Sequence, residues 1–101
     1  MIRHHAFFWL KRPGNTEDRA RLLEGLRGLG RIEVISELAV GVPAATEARD
    51  VVDASFDVSE MMRFATVEDQ RTYQDHPLHR AFVAECEELW ERVVVYDVYE
   101  W

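Results

Sequence analysis

The residue types best suited to proton transfer lie around one short turn, His76-Pro77-Leu78-His79. Proline has no N–H and a fixed φ, so Pro77 predicts the first turn of a helix, with His76 extended before it. The apolar residues that follow recur at helical spacing to about Arg92. His79 falls within their arc, so we expect its imidazole to point at the core or into a cavity lined by the core.

Two interpretations of His79 stay open at this point. A buried histidine can satisfy its ring with a backbone carbonyl and have no further role. Alternatively, an imidazole in an apolar pocket is a general acid or base, because the ordinary pKa of histidine lies near neutral pH. Tyr73 lies on the other side of the proline turn. It is therefore placed to close the same site from the helix side.

A second pair of candidates lies on two predicted strands. His4 alternates with Ala6, and Glu60 alternates with Met62, so both polar side chains are expected to face the helices. A charge there is out of pattern, and a buried carboxylate needs a partner, a proton or water. A carboxylate beside an imidazole raises the imidazole pKa and fixes its tautomer, which suits a catalytic base. The alternative is a slip or bulge that turns Glu60 out to solvent.

We therefore predict a catalytic set of His4, Glu60, Tyr73 and His79. The substrate is expected to contact seven apolar residues of the strands and helices, namely Ala6, Phe8, Leu23, Leu26, Met62, Val83 and Trp90. A metal site built from His76, His79, His4 and a carboxylate is a weaker alternative, because His76 precedes the proline and is not on the helix. Cys86, on an apolar helix face, is expected to be inert core.

The composition limits the structure that can hold such a site. With 101 residues, the chain is expected to form one domain, residues 1–101, around one core. A formal net charge of −7 argues against nucleic acid and anionic membrane surfaces, which bind clustered Lys and Arg. The single cysteine excludes an internal disulfide. Because no secretory signal or membrane-spanning run is seen, we expect a cytoplasmic protein without a membrane partner.

Hydrophobic spacing and turn residues predict the elements that would position these side chains. In order they are strand 2–11, a helix from the N-cap Thr16 to Gly28 or Gly30, strand 31–42, loop 43–52, strand 54–64, a short helix opened by Thr66 and ending near Gln74, helix 77–92 and strand 93–99.

This order predicts an α+β, ferredoxin-like βαββαβ fold with a four-stranded antiparallel sheet. Right-handed crossovers put the first and third strands at the centre and both helices on one face. The other face is left bare, and it would carry the apolar residues Phe7, Trp9, Val94, Tyr96 and Val98. An exposed patch of that kind favours a partner. We therefore expect a homodimer through the sheet face, a dimeric α/β barrel, with His5 at the interface.

The chain also resembles a known family, the stress-responsive dimeric A/B barrel (Dabb) proteins. The resemblance covers essentially the whole chain and consists of an ordered set, namely Ile2-Arg3-His4, Lys11, Phe64, Tyr73, His76-Pro77-x-His79, Phe82 and Val95-Tyr96-Asp97. It implies a ferredoxin-like subunit that dimerises through its sheets. One branch, of the olivetolic acid cyclase type, closes linear polyketides by aldol condensation without metal or organic cofactor.

In that branch, the resemblance implies His79 as the base, Tyr73 as its orienting or carbonyl-binding partner, and His4 as an assisting group. Two departures stand out. The first helix offers leucines, Leu22, Leu23 and Leu26, where the cyclase has aromatic residues. Glu60 stands where the cyclase has an apolar residue. The pocket is therefore expected to be more polar, and the substrate to differ.

The leading hypothesis is a cofactor-free acid/base enzyme, cyclase- or lyase-like, that acts on a small carbonyl or polyketide-like compound. The alternatives are a non-catalytic dimer that binds a small hydrophobic ligand or serves in stress tolerance, and a cofactor-independent oxygenase on the same fold. A cavity touching His4, Glu60, Tyr73 and His79 favours the enzyme. A filled core, with His79 satisfied by a carbonyl, favours the binder.

Overall fold

A computed structural model describes residues 1–101, all of the chain. The elements are β1 (Ile2–Leu10), α1 (Thr16–Gly28), a 3₁₀ turn (Leu29–Arg31), β2 (Glu37–Gly41), β3 (Val58–Phe64), α2 (Val67–Asp75), α3 (Pro77–Cys86), a second 3₁₀ turn (Glu87–Leu89) and β4 (Trp90–Tyr99). The α+β, ferredoxin-like fold predicted from the sequence is confirmed. None of the helices combines the length and apolar character that a membrane span requires.

The four strands form one antiparallel sheet in the order β2-β3-β1-β4. β1 and β3 are central, as predicted. Ala6 lies opposite Glu60 on one side and opposite Val95 on the other. This register fixes which residues share a face, because side chains alternate along each strand.

The core lies between the sheet and the helices, which cover one face. Even-numbered residues of β1 and β3 meet the buried stripes of the helices there. The largest fully buried side chains are Phe64, Leu10, Leu22, Leu26, Leu29, Ile32, Met62 and Val58. Burial of this apolar surface is the main stabilising contribution to such a fold.

Two predicted strands were too long. Arg31–Ser36 is not strand, and Ile32 is instead buried in the core after the 3₁₀ turn. Pro43 follows β2 and has no N–H to extend the ladder. Residues 54–57 do not join β3 because Asp57 accepts hydrogen bonds from the backbone N–H groups of Leu10 and Gly14. Those bonds tie this segment to the end of β1.

The same segment covers part of the sheet face that was expected to be bare. The Phe56 ring packs edge-to-face on Phe7 at 5.1 Å between ring centroids. The Ser55 hydroxyl accepts a 3.0 Å hydrogen bond from the Trp9 indole. The β4 half of that face stays open, with Tyr96 61% and Val98 46% exposed.

The helix boundaries also differ from the prediction. The helix that begins at Pro77 ends at Cys86, and Trp90–Arg92 belong to β4, where Arg92 pairs with Trp9. The N-cap of α1 is Asn15 rather than Thr16, since the Asn15 side chain accepts from the Asp18 N–H. α1 ends at Gly28, one of the two predicted end residues, but not in the left-handed conformation, because Gly14 alone has a positive φ. Thr66 caps α2 as predicted.

Candidate active site

The junction of α2 and α3 positions the two helix-borne candidates. Tyr73 lies near the end of α2 and is buried. His76 ends α2 and begins α3, and its Nδ1 accepts a 3.0 Å hydrogen bond from the Leu78 N–H. Pro77 follows in the first turn. This tight connection brings the rings of Tyr73 and His79 to 4.7 Å between centroids.

The protonation of His79 follows from its partner. Nδ1 lies 3.1 Å from the carbonyl oxygen of Gln74. A carbonyl only accepts, so Nδ1 carries the hydrogen, and in the neutral ring Nε2 keeps its lone pair. Burial lowers the pKa of His79, the hydrogen bond to Gln74 opposes that shift, and nearby His4 adds to it. At neutral pH, His79 is therefore a neutral imidazole with a free basic nitrogen.

His4 lies between two carboxyl groups. Its Nδ1 donates a 2.6 Å hydrogen bond to Oδ1 of Asp97 on β4. Its Nε2 lies 3.3 Å from Oε1 of Glu60 on β3. The second contact is short enough for a hydrogen bond but is not aligned for one, and neither Glu60 oxygen has a hydrogen-bond partner in the protein.

Glu60 is on the helix-facing side, with its side chain 1% exposed. No slip or bulge turns it outward, because the pairing of β1 with β3 is regular throughout. Burial, and then the negative charge of Asp97, raise the pKa of Glu60 to about 8. Burial also raises the pKa of the Tyr73 phenol, with a further contribution from Glu60. Both groups hold their protons at neutral pH.

A cavity of about 150 Å³ joins these groups. All four predicted catalytic residues line it, and so do five of the predicted substrate contacts, Ala6, Phe8, Leu26, Val83 and Trp90. The other two do not: Met62 is fully buried in the core, and Leu23 packs against the core elsewhere. A cavity of this volume holds a molecule of about the size of benzene.

The sequence interpretation missed five residues of the site, namely Gln74, Phe82, Val93, Val95 and Asp97. For the β4 residues a signal was present. Val93, Val95 and Asp97 alternate along the strand, and their register against β1 puts them on the side of His4. Gln74 acts through its backbone carbonyl, so its side-chain type carries no signal.

The other histidine of the turn has a structural role. His76 caps α3 through Nδ1, and its Nε2 lies 3.9 Å from the exposed Glu33. It does not line the cavity. Among the His, Cys, Asp and Glu side chains, no three come together in a way that could hold a metal ion. Cys86 is buried, and burial raises the pKa of its thiol.

A larger groove of about 560 Å³ runs over the outer surface between α1 and α3. Arg21, Glu24, Arg31 and Glu85 are among its lining residues. No unpartnered buried polar group points into it, since the two Glu60 oxygens are the buried side-chain atoms without a partner. The chemistry is therefore concentrated in the smaller cavity.

Comparison with known proteins confirms the family that the sequence resembles. A family model described as Stress responsive A/B Barrel Domain matches residues 2–100. No curated protein matches the chain.

Three solved structures are similar in fold. A Dabb family protein with a ferredoxin-like fold from Mesorhizobium loti has 24% identity and a TM-score of 0.79, with 99% of this chain and 96% of that chain covered. A dimeric ferredoxin-like protein from Thermobifida fusca has 22% identity and a TM-score of 0.76, with coverage of 96% and 88%. The hydroxynitrile lyase from Passiflora edulis has 19% identity and a TM-score of 0.79, with coverage of 96% and 90%.

Proposed function

Because the chain belongs to the stress responsive A/B barrel domain family, we propose that it is a cofactor-free acid/base enzyme of the cyclase or lyase type. Its substrate is a small carbonyl compound or a related adduct. The observation that carries this proposal is the pairing of a free base with protonated donors in one cavity. His79 offers Nε2, while Tyr73 and Glu60 keep their protons.

The proposed reaction begins with proton removal. His79 Nε2 takes a proton from a C–H next to a carbonyl, or from the hydroxyl of an adduct whose C–C bond then breaks. The Tyr73 O–H donates a hydrogen bond to the oxygen on which negative charge develops, as an oxyanion-binding group does. His79 then returns the proton to the product. In either reaction the transferred proton moves from the substrate to His79 and from His79 to the product, so no other acid or base is needed.

The lyase direction has support from one relative. A hydroxynitrile lyase breaks an adduct of a carbonyl compound, and the Passiflora edulis protein of that name shares this fold. At 19% identity the likeness concerns the fold, so the reaction is proposed from the cavity. The cavity volume favours a compact molecule. A polyketide with a long alkyl chain would extend beyond the cavity.

Proton exchange with a simple ketone tests the proposal. The protein is incubated in D₂O with cyclohexanone, and deuterium at the carbons next to the carbonyl is followed by NMR; cyanide release from small cyanohydrins is measured in parallel. We expect His79→Ala to lower the rate of whichever of these two reactions the wild type catalyses by roughly 10²–10⁴-fold, the usual contribution of a general base. His5→Gln, on the opposite side of β1, is the matched control and keeps the rate. Equal rates in wild type and His79→Ala would contradict the proposal.

A non-catalytic binding role is the second candidate. It is favoured by the hydrogen bond from His79 to Gln74, which satisfies one ring nitrogen without any substrate. In that case His79→Ala lowers the melting temperature and leaves no activity to lose. In the enzymatic case the same variant loses activity and keeps most of its stability.

We also propose a homodimer through the open face of the sheet. Tyr96 and Val98 are exposed there beside the half-buried Phe7. An apolar surface of this kind is commonly covered by a partner, and the Thermobifida fusca relative is described as dimeric. The cytoplasmic location expected from the sequence stays a prediction.

A further inference from the structure

Glu60 is the one buried side chain whose polar atoms have no hydrogen-bond partner in the protein. Its backbone neighbours across the strands are Ala6 on β1 and Val40 on β2, which offer no polar side chain. An unpartnered buried carboxyl group lowers stability relative to an apolar side chain of the same shape. Packing alone therefore gives no reason for a glutamate here.

The nearest polar group does not resolve this. His4 Nε2 lies 3.3 Å from Oε1 but is not aligned for a hydrogen bond. The other ring nitrogen of His4 is held by Asp97 at 2.6 Å, which fixes the orientation of the ring. His4 cannot rotate toward Glu60 without losing that bond. Both carboxyl oxygens therefore lack a partner in the protein, and Glu60 lines the cavity.

The chemistry of a neutral carboxyl group indicates what would satisfy it. One oxygen donates a hydrogen bond and the other accepts one. A hydroxyl group also donates and accepts, so it satisfies both oxygens at once, whereas a carbonyl satisfies only the donor. An anionic group would be repelled by the negative charge of Asp97, which lies behind His4 and already raises the pKa of Glu60.

We propose that Glu60 binds a hydroxyl group of the substrate, so that the cavity selects uncharged hydroxyl-bearing molecules of about the size of benzene. For the reaction proposed above, this points to carbonyl compounds or adducts that carry a hydroxyl group besides the oxygen that reacts, because His79 takes the proton of the reacting group. The inference rests on the proposed function in one respect, that the cavity is the substrate site.

The test measures binding with three uncharged probes of nearly equal size, cyclohexanol, cyclohexanone and methylcyclohexane. Dissociation constants are determined by ligand-observed NMR for wild type, Glu60→Leu and Glu60→Gln. Leucine removes both polar atoms at similar volume, while glutamine keeps one donor and one acceptor. Glu33→Gln, at an exposed carboxylate outside the cavity, is the surface control.

We expect Glu60→Leu to reduce the preference for cyclohexanol over methylcyclohexane by tenfold or more, or about 1.4 kcal/mol at least, because a buried hydrogen-bond partner is lost. Glu60→Gln and Glu33→Gln are expected to keep the wild-type preference. In Glu60→Leu, the preference for cyclohexanone over methylcyclohexane should change less than the preference for cyclohexanol over methylcyclohexane. Each of three results would overturn the proposal: no binding of cyclohexanol to wild type, an unchanged preference in Glu60→Leu, or an equal loss for cyclohexanone.

These outcomes are separate from those of the proposed function. Binding is measured without turnover, so a Glu60 effect is visible even in a protein that catalyses nothing. Conversely, His79-dependent exchange of cyclohexanone with no Glu60-dependent preference supports the enzyme and refutes the hydroxyl site. Because Glu60→Leu removes an unpartnered polar group, we expect it to fold at least as stably as wild type, which a thermal melt checks.

Discussion

At the scale of the residue, Glu60 places a carboxyl group at a strand position where burial favours an apolar side chain. Strand β3 alternates buried and half-buried residues throughout, and Glu60 occupies one of the buried positions. Burial raises the pKa of its carboxyl to about 8, so the group stays neutral over most of the physiological range. The neutral carboxyl of Glu60 and the neutral imidazole of His79 give the cavity both a hydrogen-bond donor and a base.

The same shift makes stability depend on pH. The folded protein holds the Glu60 proton up to about pH 8, whereas the unfolded chain releases it near its ordinary pKa of 4.5. The native state therefore binds more protons across this window, and the free energy of unfolding falls as pH rises through it. We expect Glu60→Gln to be increasingly more stable than wild type from pH 5 to pH 8, by a few kcal/mol at the upper end, or about 1.4 kcal/mol per unit at most.

Urea unfolding of both proteins at several pH values measures this difference. Asp75→Asn, at an exposed carboxylate, serves as the control and should follow the wild-type curve. A constant difference between Glu60→Gln and wild type over the window would contradict the neutral state of Glu60.

Asp97 supports a separate prediction about orientation. Its carboxylate accepts from His4 Nδ1 and so keeps the Nε2 side of the ring toward Glu60. An asparagine can turn its amide N–H₂ toward the ring and favour the other tautomer, an effect that is severe in hydrolase triads. We expect Asp97→Asn to lower kcat by about tenfold or more while the dissociation constant for cyclohexanol stays within about twofold. A fall in binding with unchanged kcat would show that Asp97 acts on the ligand instead.

At the scale of the element, the packing of α1 against α3 controls the wall of the cavity. A Cβ on Gly25 of α1 would lie 2.9 Å from Cys86 Sγ and 3.1 Å from a carbon of Phe82. Phe82 lines the cavity, so the close approach of these helices sets the position of that wall. Gly28, one turn later, has nothing within 4 Å of such a Cβ.

These two glycines form a matched pair. In Gly25→Ala, the gain in helix propensity, about 1 kcal/mol, is outweighed by overpacking against α3, about 1–3 kcal/mol. We therefore expect a net loss of stability. Gly28→Ala meets no such contact and is expected to gain a few tenths to about 1 kcal/mol. Chemical denaturation of both variants decides the matter, and equal effects would mean that helix packing does not require glycine at Gly25.

At the scale of the whole molecule, the open half of the sheet carries the proposed dimer interface. Tyr96 is 61% exposed on β4 and its ring lies 6.3 Å from that of Phe7. A charge introduced there would be buried without a partner in a sheet-to-sheet dimer, which costs several kcal/mol. We expect Tyr96→Glu to shift the protein to monomers. Sedimentation velocity tests this, with Val51→Glu in the exposed loop as the control that stays dimeric; a wild-type monomer would contradict the proposed dimer.

The element order and the central position of β1 and β3 could be predicted because they follow from local spacing and from the handedness of crossovers. His4 and Glu60 could be assigned to one face for the same reason, since a strand alternates its side chains. Pro77 marked the start of α3 because its ring permits only that position. In each case the deciding interaction lies within a few residues of chain.

The tertiary structure alone decided which distant segments form hydrogen bonds with one another. Asp57 delayed the start of β3 to Val58 by bonding to the backbone at the far end of β1. Leu89 was followed by a strand because Trp90 and Arg92 found pairing partners on β1. The 2.6 Å hydrogen bond between His4 and Asp97, 93 positions apart in the chain, likewise could not be predicted from a local pattern. The sequence determined that His4 and Glu60 face the helices, while contacts across the sheet determined their protonation and partners, because hydrogen bonds and burial depend on which segments the fold brings together.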